Sequence, residues 1–216
     1  MGMENREISQ AVIVRLPRYR RYLGELKKQG IERISSKELS RIMHVTASQI
    51  RQDFNNFGGF GQQGYGYNIS YLHEEIGKIL GLDKSHTMLL VGAGHLGSAL
   101  INYMKFRTRG FNFVAAFDIS PEVYGRSIGG IEVLPMKELA GFLEKNQVDI
   151  AVLTLPKEAA VEAAEVLTRG GCRAIWNFAH VDLMVPASVV VENVHLSDSL
   201  YKLSYNIKRR ELSETE

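Results

Sequence analysis

Met88-Leu89-Leu90-Val91 is a short apolar run that leads straight into Gly92-Ala93-Gly94-His95-Leu96-Gly97-Ser98-Ala99. The spacing G-x-G-x-x-G carries little weight alone. Here it follows a strand-like run and opens a helix, because Leu96, Ala99, Leu100 and Tyr103 recur at helical intervals. Gly92 permits the tight turn, Gly94 the close approach of a pyrophosphate, and Gly97 the packing of the helix on the strand. The helix start then presents backbone N–H groups to phosphate.

A second strand, Phe113-Val114-Ala115-Ala116-Phe117, ends at Asp118, 21 residues beyond Gly97. That is the distance expected for a carboxylate that accepts hydrogen bonds from the adenosine ribose and repels a 2′-phosphate. NADH and NAD+ are therefore expected over their phosphorylated forms. Strands and helices go on alternating. Ile131–Leu134, Asp149–Thr154, Arg173–Asn177 and Ser188–Val194 read as strands, Met136–Asn146 and Lys157–Arg169 as helices. The expected class is α/β, with a Rossmann-like doubly wound parallel sheet. Ligands bind such sheets at strand C-terminal ends, which adds Thr154, Leu155, Pro156, Asn177 and Phe178 to the cofactor candidates. Those on the fingerprint and its helix are Gly92, Ala93, Gly94, His95, Leu96, Gly97 and Tyr103, with Asp118 after the second strand.

The chain begins differently. Ile13, Leu16, Tyr19, Leu23 and Leu26 mark one helix face, and Pro17 either kinks that helix or begins its longer part. Ser35/Glu38 and Thr46/Gln49 each fit a capping box, and Ile50, Phe54 and Phe57 form one face of the second capped helix. Two short capped helices match a helix-turn-helix. Ser48, Arg51, Gln52 and Asn55 lie off the apolar face, and arginine and glutamine are the donors that pair with guanine and adenine edges. Then comes Gly58-Gly59-Phe60-Gly61-Gln62-Gln63-Gly64-Tyr65-Gly66-Tyr67, with five glycines interleaved with aromatics. It reads as a hairpin wing beside a recognition helix, the alternative being a flexible linker. Ile69, Leu72, Ile76, Ile79 and Leu80 form a closing helix.

Charge divides the same way. The total is +2, yet residues 1–60 hold eleven basic and six acidic side chains, a balance of +5, while the remainder holds 15 and 18, a balance of −3. A basic N-terminal module facing a polyanion is expected. Composition, 45% hydrophobic and 23% charged, excludes wholesale disorder. No window approaches a membrane span, and Met1 to Gln10 lacks a signal peptide's apolar stretch. Cys172 is the only cysteine, so neither an intramolecular disulfide nor a cysteine-based metal site is expected, and the protein is expected to be cytoplasmic with no metal. Hydride transfer would need an acid/base, for which His180 is the best placed histidine, and no substrate domain remains. A small NAD-dependent oxidoreductase and an architectural nucleotide-holding module are the alternatives to a sensor.

From Ile13 to Tyr205 the chain resembles the Rex family of redox-sensing transcriptional repressors. The resemblance rests on Arg15-Leu16-Pro17-Arg18-Tyr19, Ser48 to Phe54, the wing run from Phe57, the fingerprint, Phe117-Asp118 and Asn177-Phe178-Ala179. It implies no catalysis, and a homodimer on inverted-repeat, double-stranded operator DNA that is released when NADH binds. It also implies a C-terminal helix exchanged between protomers through Leu200, Leu203, Tyr205 and Ile207. The expected parts are a winged helix-turn-helix domain (1–82), a nucleotide-binding domain (83–195) and a dimerisation helix (196–216). DNA contacts are expected from Arg15, Ser48, Gln49, Arg51, Gln52, Phe60, Gly61 and Tyr65. The chain departs from the family's common pattern at Gln52, where a second basic residue is frequent, and at His180, where proline is. His195 or Asp198 stands where some members carry a hinge carboxylate.

Overall fold

Pro17 begins a helix rather than bending one. A single turn, α1 (Gln10–Ile13), precedes α2 (Leu16–Lys28), and Pro17 sits in the first turn of α2, where a missing N–H deprives no helical carbonyl of its partner. The computed structural model describes residues 8–57, 61–62, 65–104 and 106–214. They fall into two compact units, 1–84 and 85–216.

In the first unit α2 buries Leu16, Tyr19, Leu23 and Leu26. α3 (Ser36–Met43) opens on a complete capping box: Ser35 Oγ accepts from the Glu38 N–H, and the Glu38 carboxylate accepts from the Ser35 N–H. His44, at φ 53°, ends α3, and α4 (Ala47–Asn55) follows, its N-terminus capped by Thr46 Oγ1. This second box is only half formed, because the Gln49 side-chain amide turns to Asp53. β1 (Arg33–Ile34), β2 (Gly61–Gln62) and β3 (Gly66–Asn68) make an antiparallel sheet in the order β1-β3-β2. The β2–β3 hairpin after α4 is the expected wing. At Gly66, φ 69°, a Cβ would lie 2.8 Å from the Ile34 carbonyl, so the hairpin approaches β1 as glycine alone allows. α5 (Ile69–Ile79), capped by Asn68, closes the unit. Phe54 fills the centre, edge-on to Tyr19 at 4.9 Å and to Tyr67 at 5.0 Å.

The second unit is a seven-stranded sheet. Its strands are β4 (His86–Val91), β5 (Phe111–Asp118), β6 (Ser127–Ile128), β7 (Ile131–Pro135), β8 (Ile150–Leu153), β9 (Ala174–Asn177) and β10 (Val190–Asn193). Their order is β10-β9-β8-β4-β5-β7-β6, parallel except at β6, an edge hairpin that two residues of sequence do not announce. The helices are α6 (His95–Ile101), α7 (Leu139–Lys145), α8 (Lys157–Arg169) and α9 (Leu196–Glu214). The helix expected from Met136 begins as a 3₁₀ turn, Met136–Glu138, and Ser188 lies outside β10 in a turn closed by the Val189 N–H on the Pro186 carbonyl.

Leu139 and Leu143 of α7 and the alanines and Leu167 of α8 cover one sheet face. The other is covered in part by Leu100 and Ile101 of α6, and an apolar groove of about 280 Å³ remains over Ile150, Trp176 and Val190. Cys172 is buried, and burial pushes its thiol up, which keeps it protonated and unreactive at neutral pH. The chain leaves β4 to one side for β5 and later returns on the other side as β8. The crevice for a ligand in such a sheet opens at that reversal, above the ends of β4 and β8.

Phe54→Ala should destabilise the first unit by about 3–5 kcal/mol, and Phe57→Ala, at a partly exposed position, by less. Chemical denaturation followed by circular dichroism measures both.

Candidate functional site

Register places the glycine loop. Val91 pairs with Phe117 on one side and Leu153 on the other, so Gly92 comes level with Asp118 and Thr154. Gly92 has φ 102°, and a Cβ there would stand 2.6 Å from the Thr154 carbonyl. Thr154 Oγ1 donates to the Gly92 carbonyl at 2.6 Å. A Cβ on Gly97 would overlap the Gly92 carbonyl oxygen and stand 2.9 Å from Leu90 Cδ2, so α6 lies on β4 at a separation no side chain permits. At Gly94 a Cβ would meet no atom within 4 Å, and that backbone faces open space beside exposed His95 and Leu96. One Asp118 oxygen accepts the Ala93 N–H at 2.6 Å and the other the Ser120 N–H at 2.8 Å. The carboxylate thus shapes the loop and stands beside it. These features fit a dinucleotide: a turn only glycine adopts, an open backbone edge for phosphate, and a carboxylate where the ribose hydroxyls fall.

The other cofactor candidates divide. Phe178 lies at the same sheet end, its N–H on the Leu153 carbonyl and its ring 4.7 Å from Trp176. Leu155 is partly buried and Pro156 exposed at the start of α8. The Asn177 side chain is wholly buried and turned inward: its amide donates to the carbonyls of Ala179 and Val181 and to Asn193 Oδ1, and its oxygen accepts the Ala179 N–H. It organises the loop that carries Phe178. Tyr103 lies past the far end of α6, a helix about 10 Å long at 1.5 Å per residue. An aromatic chain leads back from it, Tyr103–Phe106 at 4.8 Å, Phe106–Trp176 at 5.6 Å, then Phe178. His180 is exposed and stacks on His195 at 5.2 Å, a pairing no sequence spacing suggested.

In the first unit α4 has two faces. Ser48, Arg51, Gln52 and Asn55 are exposed, and Ile50, Asp53 and Phe54 are buried. Arg51 reaches across to Ser36 Oγ at 3.1 Å. In the wing Tyr65 is 68% exposed, its carbonyl accepting from Arg33 at 3.2 Å, and Gly61 is paired with Tyr67. Phe60 lies outside the described residues. Arg15 is not a free hook. Its Nε and Nη2 grip both oxygens of Asp53 at 2.7 Å, and Tyr19 Oη and Gln49 Nε2 donate to the same carboxylate at 2.7 and 2.8 Å. Burial pushes the Asp53 carboxyl up, but the hydrogen bonds from Arg15, Tyr19 and Gln49 outweigh it and hold the group below the usual range. Sequence reading missed Asp53, although a carboxylate on the Ile50/Phe54/Phe57 stripe was the visible signal.

Among the described residues no group of three or more His, Cys, Asp or Glu side chains could hold a metal ion, and no helix is long and apolar enough to cross a membrane. A winged helix-turn-helix with a polar outer face and a separate dinucleotide cradle define a class, the nucleotide-responsive DNA-binding regulators. Residues 7–55 match the model of a putative DNA-binding protein N-terminus, and residues 83–181 that of a CoA binding domain. A redox-sensing transcriptional repressor Rex from Thermoanaerobacter pseudethanolicus is 53% identical, over 95% of this chain and 92% of the relative. One from Clostridioides difficile is 56% identical, over 94% and 97%. The crystal structure of RSP with β-NAD+ and operator DNA superposes with a TM-score of 0.90 at 52% identity, over 98% of this chain and 97% of the other. RSP with β-NADH gives 0.90 at 49% identity, over 98% and 99%. The chain belongs to the Rex family of redox-sensing transcriptional repressors.

The folded-state pKa of Asp53 lies below the ordinary 3.8, so its contribution to stability is complete above that value and is lost as pH falls through the lowered one. Acid titration of circular dichroism should show the first unit losing stability below about pH 4. Asp53→Asn should be less stable at neutral pH and show a shallower acid dependence.

Proposed function

We propose that this protein binds operator DNA as a homodimer through its first unit and releases it when NADH binds the second, so that transcription follows the NADH/NAD+ ratio. The supporting observation is kinship along nearly the whole chain with RSP, which has been crystallised with β-NAD+ and operator DNA and with β-NADH. The relatives are transcriptional repressors, and the protein is a regulator rather than an enzyme.

The cofactor residues proposed are the Gly92–Gly97 loop, Asp118, and Leu155, Pro156 and Phe178 at the sheet ends, with Thr154 and Asn177 shaping the backbone and Tyr103 joined through the aromatic chain. NAD+ brings a positive charge on its nicotinamide ring that NADH lacks. An apolar wall such as Phe178 penalises that charge and favours NADH. Release requires NADH to prefer the arrangement that does not bind DNA. A coupling of about 1–3 kcal/mol changes DNA affinity about 5–150-fold, and DNA weakens NADH binding by the same factor. Ser48, Arg51 and Gln52 read or hold DNA, with Phe60, Gly61 and Tyr65 of the wing beside them. Dimerisation has two supports. Leu196, Leu200, Leu203 and Ile207 form a stripe on α9 that is 53–64% exposed, and the sheet groove over Trp176 is apolar. A second copy of the chain, exchanging α9, would cover them.

Fluorescence anisotropy of labelled operator DNA should fall on adding NADH and hold with NAD+; equal DNA affinity with and without NADH would falsify the sensing role. Arg51→Ala should cost about 1–3 kcal/mol on operator DNA if Arg51 reads a base, and lose equally on random DNA if it holds a phosphate. Asp118→Ala should narrow the preference for NADH over NADPH in a binding titration and, by freeing the Ala93 N–H, weaken both; an unchanged preference would remove Asp118 from the ribose site.

A further inference from the structure

Asp53 has no exposed surface and lies on the inner side of the helix whose outer side carries Ser48, Arg51 and Gln52. Three of the four donors on its carboxylate, Arg15 Nε, Arg15 Nη2 and Tyr19 Oη, come from α2 and the residue before it; the fourth, Gln49 Nε2, comes from the first turn of α4 itself. An ionised carboxylate offers about four lone-pair sites, so its capacity is filled. The neighbours Ile50 and Phe54 hold α4 to the core by apolar packing, which has no direction. The Arg15 fork is planar, charge-assisted and bidentate, and it constrains orientation as well as distance. A buried ion pair of this kind adds little net stability over an apolar cluster of the same volume. What it supplies here that leucine could not is a fixed rotation of α4. Reading a base edge demands such a fixed rotation, because bidentate pairs to guanine or adenine require both donor directions at once.

We propose that Asp53 is a positioning residue for operator recognition: with Arg15 and Tyr19 it sets the rotation of α4 about its axis, and Arg15 and Gln49 act through it rather than on the DNA. The inference rests on α4 being the reading helix. It revises the expectation drawn from the Arg15 and Gln49 positions, since Arg15 Nε and Nη2 and Gln49 Nε2 are committed to Asp53.

The experiment uses the full-length protein, an operator duplex selected by that protein from a random pool, and a random duplex of equal length, compared by anisotropy across a salt series. Arg15→Lys keeps the charge and loses the fork. It should lower operator affinity about tenfold or more, leave random-duplex affinity within about twofold, and keep the salt slope, the pattern of lost base reading with phosphate contacts intact. Tyr19→Phe, which removes one donor, should move the same way by a smaller factor, and Arg15→Ala should add no further loss in an Asp53→Asn background. Should Asp53→Asn unfold the first unit, by circular dichroism, Arg15→Lys and Tyr19→Phe decide the matter. Parent-like operator affinity in Arg15→Lys overturns the proposal. So does an Arg15→Ala variant that loses equally on both duplexes with a salt slope shallower by about one, which marks a phosphate anchor. The underlying reading fails separately: Arg51→Ala without effect on operator DNA removes α4 as the reader, whereas an Arg51→Ala defect with normal Arg15→Lys binding removes only the positioning role.

Discussion

The carbonyl oxygen of Gly92 occupies the place that any side chain at position 97 would need, and the second unit is organised around that contact. It brings α6 down onto β4, so the first turn of the helix opens at the sheet end. Thr154, the residue after β8, holds the same carbonyl from the opposite strand, and Asp118, the last residue of β5, holds the next amide. One loop is thus fastened on both sides of the point where the sheet reverses its winding. Its outer edge at Gly94 stays open, and a loop already held in place loses little entropy on binding.

The first unit solves a different problem. A helix that reads DNA must keep long polar donors in water on one side and still be anchored firmly on the other. Ile50 and Phe54 supply the anchoring free energy, and the filled carboxylate of Asp53 supplies direction. The cost of burying its charge is met by four donors, and the cluster sits within the unit that carries the positive balance of the chain. The second unit needs no positive surface on the cofactor reading proposed for it, in which backbone N–H groups hold the phosphates and Asp118 disfavours a phosphorylated ribose.

Much of this was legible in the chain. Periodicity located α2, α4, α5 and α8, and the capping residues Ser35 and Thr46 located two helix starts, because these are local effects within four residues. The glycine spacing and the distance to Asp118 located the cradle, since a strand–helix–strand unit has a nearly constant length. Long side chains were less legible. Gln49 fits a capping box in sequence, in which its side-chain oxygen would accept the Thr46 N–H, yet its Nε2 donates to Asp53, because folding across α2 and α4 brought a buried carboxylate within its reach. Asn177 and Thr154 fell at the correct strand ends, but both turn inward to backbone carbonyls, and orientation at a strand end is set by neighbouring strands far away in sequence.

Residue order by itself determined the two-part organisation, the winged helix, the parallel sheet and the position of the nucleotide loop, all of which follow from short-range periodicity, glycine placement and charge distribution. Only the tertiary structure decided which polar groups face out and which are consumed within. Arg15 and Ser48 are equally polar in sequence. Arg15 is turned to a buried carboxylate that folding brings to it across 38 residues, whereas Ser48 stays exposed on the helix surface with only its near neighbour Thr46 as a side-chain partner.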